Sequence, residues 1–134
     1  MKVLFVCVGN SARSQMAEAL FNRLTPKGYS AVSAGTQPAR RVSSLAIKAM
    51  SELGIDISKA KPKLLTPEMV KKADRIITMG CLTEESCPAF LMKERRALDD
   101  WGIEDPRGKD IEGVRRIRDE VKLKVEQLLE RLKV

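Results

Sequence analysis

The chain contains no histidine. That removes His-based catalytic triads, His general bases and His metal ligands, and leaves acid–base work to carboxylates, lysine, tyrosine or cysteine. Aromatic residues are few, with three Phe, one Trp and one Tyr. So few aromatics argue against a stacking platform for nucleic acid. Although the net charge is +7, Lys and Arg are interspersed with 18 acidic residues, and a basic surface that attracts small anions accounts for the balance. No apolar run is long enough to cross a membrane, and the N-terminal residues lack a signal-peptide cleavage pattern. A cytoplasmic protein without membrane or nucleic-acid partners is the expectation. Three cysteines are too few for a disulfide framework and, in a reducing compartment, point to reactive thiols. Side-chain amides are equally sparse: Asn10, Asn22, Gln15, Gln37 and Gln127. Together with 32% charged residues, this is a composition associated with thermophilic proteins.

What is present is concentrated near the N-terminus. The apolar run Val3-Leu4-Phe5-Val6 leads into Cys7-Val8-Gly9-Asn10-Ser11-Ala12-Arg13-Ser14, and Ser14 to Leu24 reads as a helix. This order places a thiol at the end of a strand, over the start of a helix. Backbone N–H groups and the helix dipole favour an anion there. Arg13 can hold two oxygens of a tetrahedral oxyanion, and the same field favours Cys7 thiolate, the nucleophilic form. Gly9 and Asn10 both tolerate left-handed backbone angles and are expected to turn the loop. Cysteine is often only a small core residue. Its place after an N-terminal strand, before a turn and an arginine, favours an oxyanion loop of residues 8–14 with Cys7 as nucleophile.

The rest of the chain reads as alternating elements of one domain, residues 1–134. Residues 3–7 form a buried parallel strand. Met16, Ala17, Leu20, Phe21 and Leu24 recur at helical spacing, and Pro26-Lys27-Gly28 ends that helix. Tyr29 to Ala34 is a second strand. Ser43 or Ser44 caps a helix with Leu45, Ile47, Met50 and Leu53 inward and Gly54 at its end. Thr66-Pro67-Glu68 opens a short helix to about Ala73. Arg75 to Met79 is a third strand, residues 81–92 a short helix or loop, and Arg96 to Leu98 a weak fourth strand. Val114, Ile117, Val121, Val125, Leu128 and Leu132 mark a long amphipathic last helix. The sum is an α/β fold, a small doubly wound four-stranded parallel sheet with helices on both faces. Ligands of such sheets bind at the carboxyl ends of the strands. Cys7, Met79-Gly80-Cys81 and the segment after Leu98 all fall at that edge.

Asp105-Pro106 lies in the loop before the last helix. An Asp-Pro pair is usually a turn. A thiolate displacing oxygen from an oxyanion also needs a proton donor, and without histidine a carboxylic acid is the natural one. Asp99 and Asp100 compete with Asp105 for that role. Cys81 and Cys87 form a poor zinc set, since four ligands are wanted and only one further cysteine exists. A core role suits either thiol. For a redox pair, six residues of helix would rise about 9 Å, whereas a disulfide needs Cα atoms about 4.4–6.8 Å apart. A helix bracketed by Gly80 and Pro88 would be marginal and would unwind to let the pair bond.

These residues resemble the low-molecular-weight protein tyrosine phosphatase superfamily, and within it the thioredoxin-coupled arsenate reductases. The matching stretches are residues 6–18, Ser33-Ala34-Gly35, Gly54-Ile55-Asp56-Ile57-Ser58, Cys81 with Cys87-Pro88, Trp101-Gly102, Asp105-Pro106 and Arg116-Ile117-Arg118-Asp119-Glu120. The oxyanion loop marks the superfamily, and the Cys81/Cys87 pair marks the reductase branch. The resemblance implies that Cys7 attacks arsenate and that Arg13 and the backbone of Val8, Gly9, Asn10, Ser11 and Ala12 hold its oxygens. It implies that Ser14 hydrogen-bonds the thiolate, Asn10 shapes the loop and Asp105 protonates the leaving oxygen. Cys81 would then attack Cys7 and release arsenite, and Cys87 would attack Cys81. Thioredoxin or a similar dithiol would reduce the final disulfide, with no resident cofactor and no metal.

The chain departs from the family in three places. The Cys81–Cys87 interval is one residue shorter than in the reductases. Ala12 replaces a cysteine present in many relatives. Lys63 stands where some relatives place an aspartate near a potassium site otherwise matched by Asn10, Glu18 and Ser33, and its ammonium can replace the cation. A phosphatase acting on phosphotyrosine or a small phosphoester would need only Cys7, Arg13 and Asp105. Against it, Arg107-Gly108 occupies the place where tyrosine phosphatases of the family carry aromatics. A non-enzymatic anion-sensing module would bind oxyanions without turnover, and Asp105 argues against it.

Overall fold

The computed structural model describes residues 1–80, 88–93 and 98–132 of the chain. Nine elements follow in order: β1 (Lys2–Cys7), α1 (Arg13–Leu24), β2 (Ser30–Gly35), α2 (Ser44–Ser51), α3 (Pro67–Lys72), β3 (Arg75–Thr78), α4 (Ala89–Met92), β4 (Leu98–Asp100) and α5 (Ile111–Leu132). The strands form one sheet in the order β2-β1-β3-β4, every pair parallel. This is the expected doubly wound architecture. From β1 the chain moves out to β2 and then returns past β1 to β3. That reversal opens a crevice at the carboxyl ends of β1 and β3.

The alternation of side chains along β1 builds both faces. Val3, Phe5 and Cys7 point toward α1, α2 and α5, where they join Met16, Leu20, Phe21, Met50, Ile117, Val121 and Val125. Leu4 and Val6 point the other way, onto Ala34, Leu65, Val70, Ile76 and Leu91. Cys7 is therefore a core-facing residue by phase, at the last position of the strand. Phe5 beneath it packs edge-on to Phe21 and lies 5.5 Å from Trp101 between ring centroids.

The caps follow the local chemistry. The Ser43 hydroxyl accepts from Ala46 N at the start of α2, and Thr66 accepts from Met69 N with Pro67 in the first turn of α3. All six apolar residues expected inward on α5 are buried. In α2 the inward face differs from expectation. Ala46, Ala49 and Met50 are buried, while Ile47 and Leu53 are only partly so and Leu45 lines the cleft above Cys7. Small residues bring α2 close to α5, and the tight approach is locked by charge. Arg118, its side chain only 10% exposed, donates to Ala49 O at 2.9 Å and Glu52 Oε1 at 2.8 Å. Arg115 grips the same carboxylate with Nε at 3.0 Å and a terminal nitrogen at 2.6 Å. The hydrogen-bonded Arg115 guanidinium, with Arg118 beside it, holds the Glu52 carboxyl down at about 2.

The fourth strand is described over Leu98–Asp100 and runs two residues past the expected end at Leu98, because Ile76, Ile77 and Thr78 pair with Leu98, Asp99 and Asp100. Residues 96 and 97 lie outside the described residues, as do Cys81 and Cys87. Of the helix or loop expected over 81–92, the described part contains α4. Among the described residues no helix is long and apolar enough to cross a membrane.

Candidate active site

The loop between β1 and α1 is an anion cradle because its carbonyls are all tied down on the outside. Thr36 N, Gln37 N, Ala39 N and Ser43 N donate to the carbonyls of Cys7, Val8, Gly9 and Ser11 at 2.8–3.1 Å. The fifth carbonyl, Asn10 O, accepts from Gln15 Nε2 at 3.2 Å. A trans peptide points its N–H opposite to its C=O. With five successive carbonyls turned outward, the N–H groups of Val8, Gly9, Asn10, Ser11 and Ala12 turn into the loop. The start of α1 adds to them. Ala12 at the N-cap supplies no side-chain acceptor, and the first turn carries no acid, so its orphan N–H groups and dipole remain for an anion.

Cys7 Sγ sits at the floor, with Asn10 N donating to it at 3.0 Å and Ser14 Oγ 2.8 Å away. Asn10 alone of the expected Gly9-Asn10 turn takes a positive φ, of 50°. Its side chain is the hub beneath the loop. Nδ2 donates to Ser14 Oγ at 2.7 Å and Ser33 Oγ at 2.9 Å, while Oδ1 accepts from Gln15 Nε2 and from Lys63 N. Ser33 Oγ in turn donates a hydrogen bond to Glu18 Oε1 at 3.0 Å, and the Lys63 ammonium lies 3.4 Å from that oxygen. A cation therefore stands beside Glu18, as expected at this position.

Arg13 spans the crevice. One terminal nitrogen donates to Met79 O at 3.2 Å and Ile103 O at 2.8 Å, and the other lies 4.0 Å from Asp105 Oδ2. Asp105 is half-exposed and shares with Cys7, Arg13 and the whole loop a cleft of about 730 Å³. Asp105 Oδ1 accepts from Arg107 N at 2.9 Å, which orients the carboxylate. The two competitors are placed elsewhere. Asp99 and Asp100 do not line the cleft, and Asp100 Oδ1 is engaged by Thr78 Oγ1 and Gly80 N. None of the described residues lining the cleft is aromatic; its walls include Leu45, Ile103, Pro106 and Val114, with Glu104, Arg107 and Lys109 at the same cleft. Glu104 and Lys109 pair with each other at 2.6 Å.

Nothing in the residue types of Thr36, Gln37 and Ala39 marks them as supports of the loop, because they and the helix-capping Ser43 tie it from outside through main-chain N–H groups. The sequence reading also leaves Gln15 without a role. A buried glutamine next to the Arg13-Ser14 pair was the available signal, since buried polar side chains are kept for the bonds they make.

A thiol at the end of the first strand, an N–H cradle and an arginine on one rim define a cysteine-dependent enzyme of oxyanion chemistry on a small α/β sheet. The chain belongs to the low molecular weight phosphotyrosine protein phosphatase family, whose pattern matches residues 2–134. It is 35% identical over 125 residues to an arsenate reductase of Staphylococcus aureus strain N315, covering 93% of each chain. A solved arsenate reductase in its phosphate-binding state superposes with a TM-score of 0.82 at 34% identity, covering 97% of both chains. A thioredoxin-dependent arsenate reductase of Corynebacterium glutamicum superposes at 0.79 and 32% identity, over 98% of this chain and 61% of that one. The fold is shared beyond the reductases. A YwlE arginine phosphatase variant with a phosphorylated active-site serine superposes at 0.88 and 26% identity, over 99% and 96% of the chains.

Proposed function

We propose that this protein, as one domain of residues 1–134, reduces arsenate to arsenite through a cascade of its three thiols. The observation that carries the chemistry is Cys7 Sγ held by Asn10 N and Ser14 Oγ beneath a loop whose N–H groups face inward. An oxyanion bound there presents its central atom to the sulfur. Val8, Gly9, Asn10, Ser11, Ala12 and Arg13 surround the oxygens, and Ser14 holds the thiolate. Cys7 attacks arsenic, and one oxygen leaves with a proton from Asp105. Cys81 then attacks Cys7 Sγ. The S–S bond forms as the S–As bond breaks, the electron pair stays on arsenic, and arsenite departs. Cys87 attacks Cys81 and frees Cys7. Thioredoxin or a similar dithiol reduces the Cys81–Cys87 disulfide, so the electrons come from outside and no resident cofactor is used. A reducing cytoplasm is the compartment that suits such thiols.

The branch assignment is supported by the identity of 35% to the staphylococcal reductase and by the presence of Cys81 and Cys87. The phosphatase reading keeps Cys7, Arg13 and Asp105 and lets water release the adduct. Its support is the structural likeness to a phosphatase of the same fold. The cleft gives a phenyl ring no aromatic partner among its described residues. Weak hydrolysis of aryl phosphates is expected beside the reductase activity.

The decisive experiment measures arsenate turnover with a thioredoxin system beside aryl-phosphate hydrolysis. Cys81→Ser should abolish the first and spare the second. Cys87→Ser should yield one arsenite per enzyme and stall as a Cys7–Cys81 disulfide. Multiple-turnover arsenate reduction by Cys81→Ser would leave the phosphatase in its place.

A further inference from the structure

The cleft over Cys7 is far larger than the ion its floor can hold. A tetrahedral oxyanion fills only the cradle, whereas the cleft measures about 730 Å³, the size of pockets that enclose a small organic ligand. Asp105 marks the side on which the body of such a ligand would lie. A leaving oxygen must come within hydrogen-bond reach of the acid that protonates it, so the body beyond that oxygen lies beside the Asp105 loop. The aliphatic surface offered there is Ile103, Pro106 and Val114. The charges on this wall are not equivalent. Glu104 and Lys109 neutralise each other at 2.6 Å. Arg107 holds Asp105 through its main chain, with Arg107 N donating to Oδ1 at 2.9 Å. Its side chain is exposed and lines the cleft. Among the described residues the Arg107 guanidinium forms no ion pair.

We propose that Arg107 forms a second anion subsite beside the cradle, and that the cleft takes small aliphatic phosphomonoesters ending in a carboxylate. The phosphoryl group sits on Arg13 and the loop N–H groups. The carbon chain lies against Ile103, Pro106 and Val114, and the distal carboxylate pairs with the Arg107 guanidinium, whose planar fork matches it. A phenyl ring finds no aromatic partner among the described residues of the cleft, whereas a short aliphatic anion finds both an apolar wall and a cation. Arsenate has no such body, so its reduction does not use the subsite. The inference goes beyond the reductase reading and needs only the cradle that both readings of Cys7 share. A bound ester excludes arsenate from Cys7. Where it reacts, the thiolate attacks phosphorus, the P–O bond to the carbon chain breaks, and Asp105 gives the leaving oxygen its proton. Water then releases phosphate from Cys7.

The test compares 3-phosphonopropionate with propylphosphonate. Both carry the same head on the same short chain, and they differ only in ending in a carboxylate or a methyl group. Neither can be hydrolysed. Protection of Cys7 from iodoacetamide, read by peptide mapping, gives the affinity of each, with inorganic phosphate as the reference for the cradle. The wild type should favour 3-phosphonopropionate by about fivefold, the upper range for an exposed ion pair. In Arg107→Gln the ratio should fall to about one. Arg107→Lys keeps the charge without the fork, and its ratio should lie between the two. A wild-type ratio of about one, or a ratio unchanged in Arg107→Gln, would overturn the proposal. So would a preference lost in Lys109→Gln and kept in Arg107→Gln, which would place the carboxylate on Lys109. Failure of inorganic phosphate to protect Cys7 would overturn the cradle itself, a result separate from any ratio between the two probes.

Discussion

The Asn10 side-chain amide donates to Ser14 Oγ at 2.7 Å, which leaves the Ser14 hydroxyl proton for Cys7 Sγ, 2.8 Å away. Once Cys7 is a thiolate it has no proton of its own, so Ser14 is the donor of that bond. The amide cannot flip, because Asn10 Oδ1 is engaged by Gln15 Nε2 and Lys63 N. Cys7 Sγ thus receives an O–H from Ser14 and an N–H from Asn10. Both bonds strengthen when the sulfur is charged.

Cys7 should therefore titrate well below the free-thiol value of about 8.5. A hydrogen bond to a charged group contributes about 1.5–3 kcal/mol, so Ser14→Ala should move the titration up by about 1–2 pH units. The rate of iodoacetamide alkylation against pH reads both values. Cys7→Ser should lose all turnover, since a serine hydroxyl stays protonated there. Coincident titration curves for wild type and Ser14→Ala would show that the hydroxyl does not stabilise the thiolate.

Asp105→Asn should slow the step that needs a leaving-group proton by about 10²–10⁴-fold. Phosphate affinity should change little, because the cradle is made of backbone N–H groups and Arg13. Steady-state kinetics and phosphate inhibition on the same variant separate the two. Asp99→Asn should be near wild type, since Asp99 does not line the cleft.

The sequence carried the cradle well and its supports poorly, for a physical reason. Cys7 and Arg13 work through side chains on a single loop, so their types and spacing are written in the chain. Thr36, Gln37, Ala39 and Ser43 support that loop through main-chain N–H groups, and many side chains would serve there. Asp99, Asp100 and Asp105 are the same residue type near one sheet edge. Only the pairing of Thr78 with Asp100 shows which carboxylates leave the cleft. In α2, apolar periodicity favoured the larger residues as core. The close approach of α5, held by Arg118 on Ala49 O and Glu52, selects alanines instead and leaves Leu45 at the cleft.

Gly35 should not tolerate a side chain. It ends β2 opposite Cys7, and a Cβ there would lie 2.4 Å from Val8 O and 3.0 Å from Asn10 Cβ. The nearest obstacle is backbone of the cradle itself, which cannot give way as a flexible side chain would. Overpacking of this kind costs about 1–3 kcal/mol. Gly35→Ala should lower the urea midpoint accordingly and weaken phosphate binding, because relief of the clash must displace Val8. A variant with wild-type phosphate affinity would show that β2 moves rather than the loop.

Acid should loosen the junction of α2 and α5 first through Glu52. Its carboxyl titrates at about 2 in the fold against an ordinary 4.5, chiefly because Arg115 hydrogen-bonds its charged form. A depressed folded value means that the unfolded chain binds the proton more tightly. The stability it contributes is complete above about 4.5 and declines as pH falls toward about 2. Arg115 and Arg118 keep their charge throughout, so protonation of Glu52 leaves two guanidinium groups facing a neutral acid. Urea midpoints of wild type and Glu52→Gln should differ most at pH 6–7 and converge as pH falls from about 4.5 to about 2. Because the pair is largely at the surface, added salt at neutral pH should narrow the same gap. A difference that stays constant across this range would assign the effect to packing of the glutamate rather than to its charge.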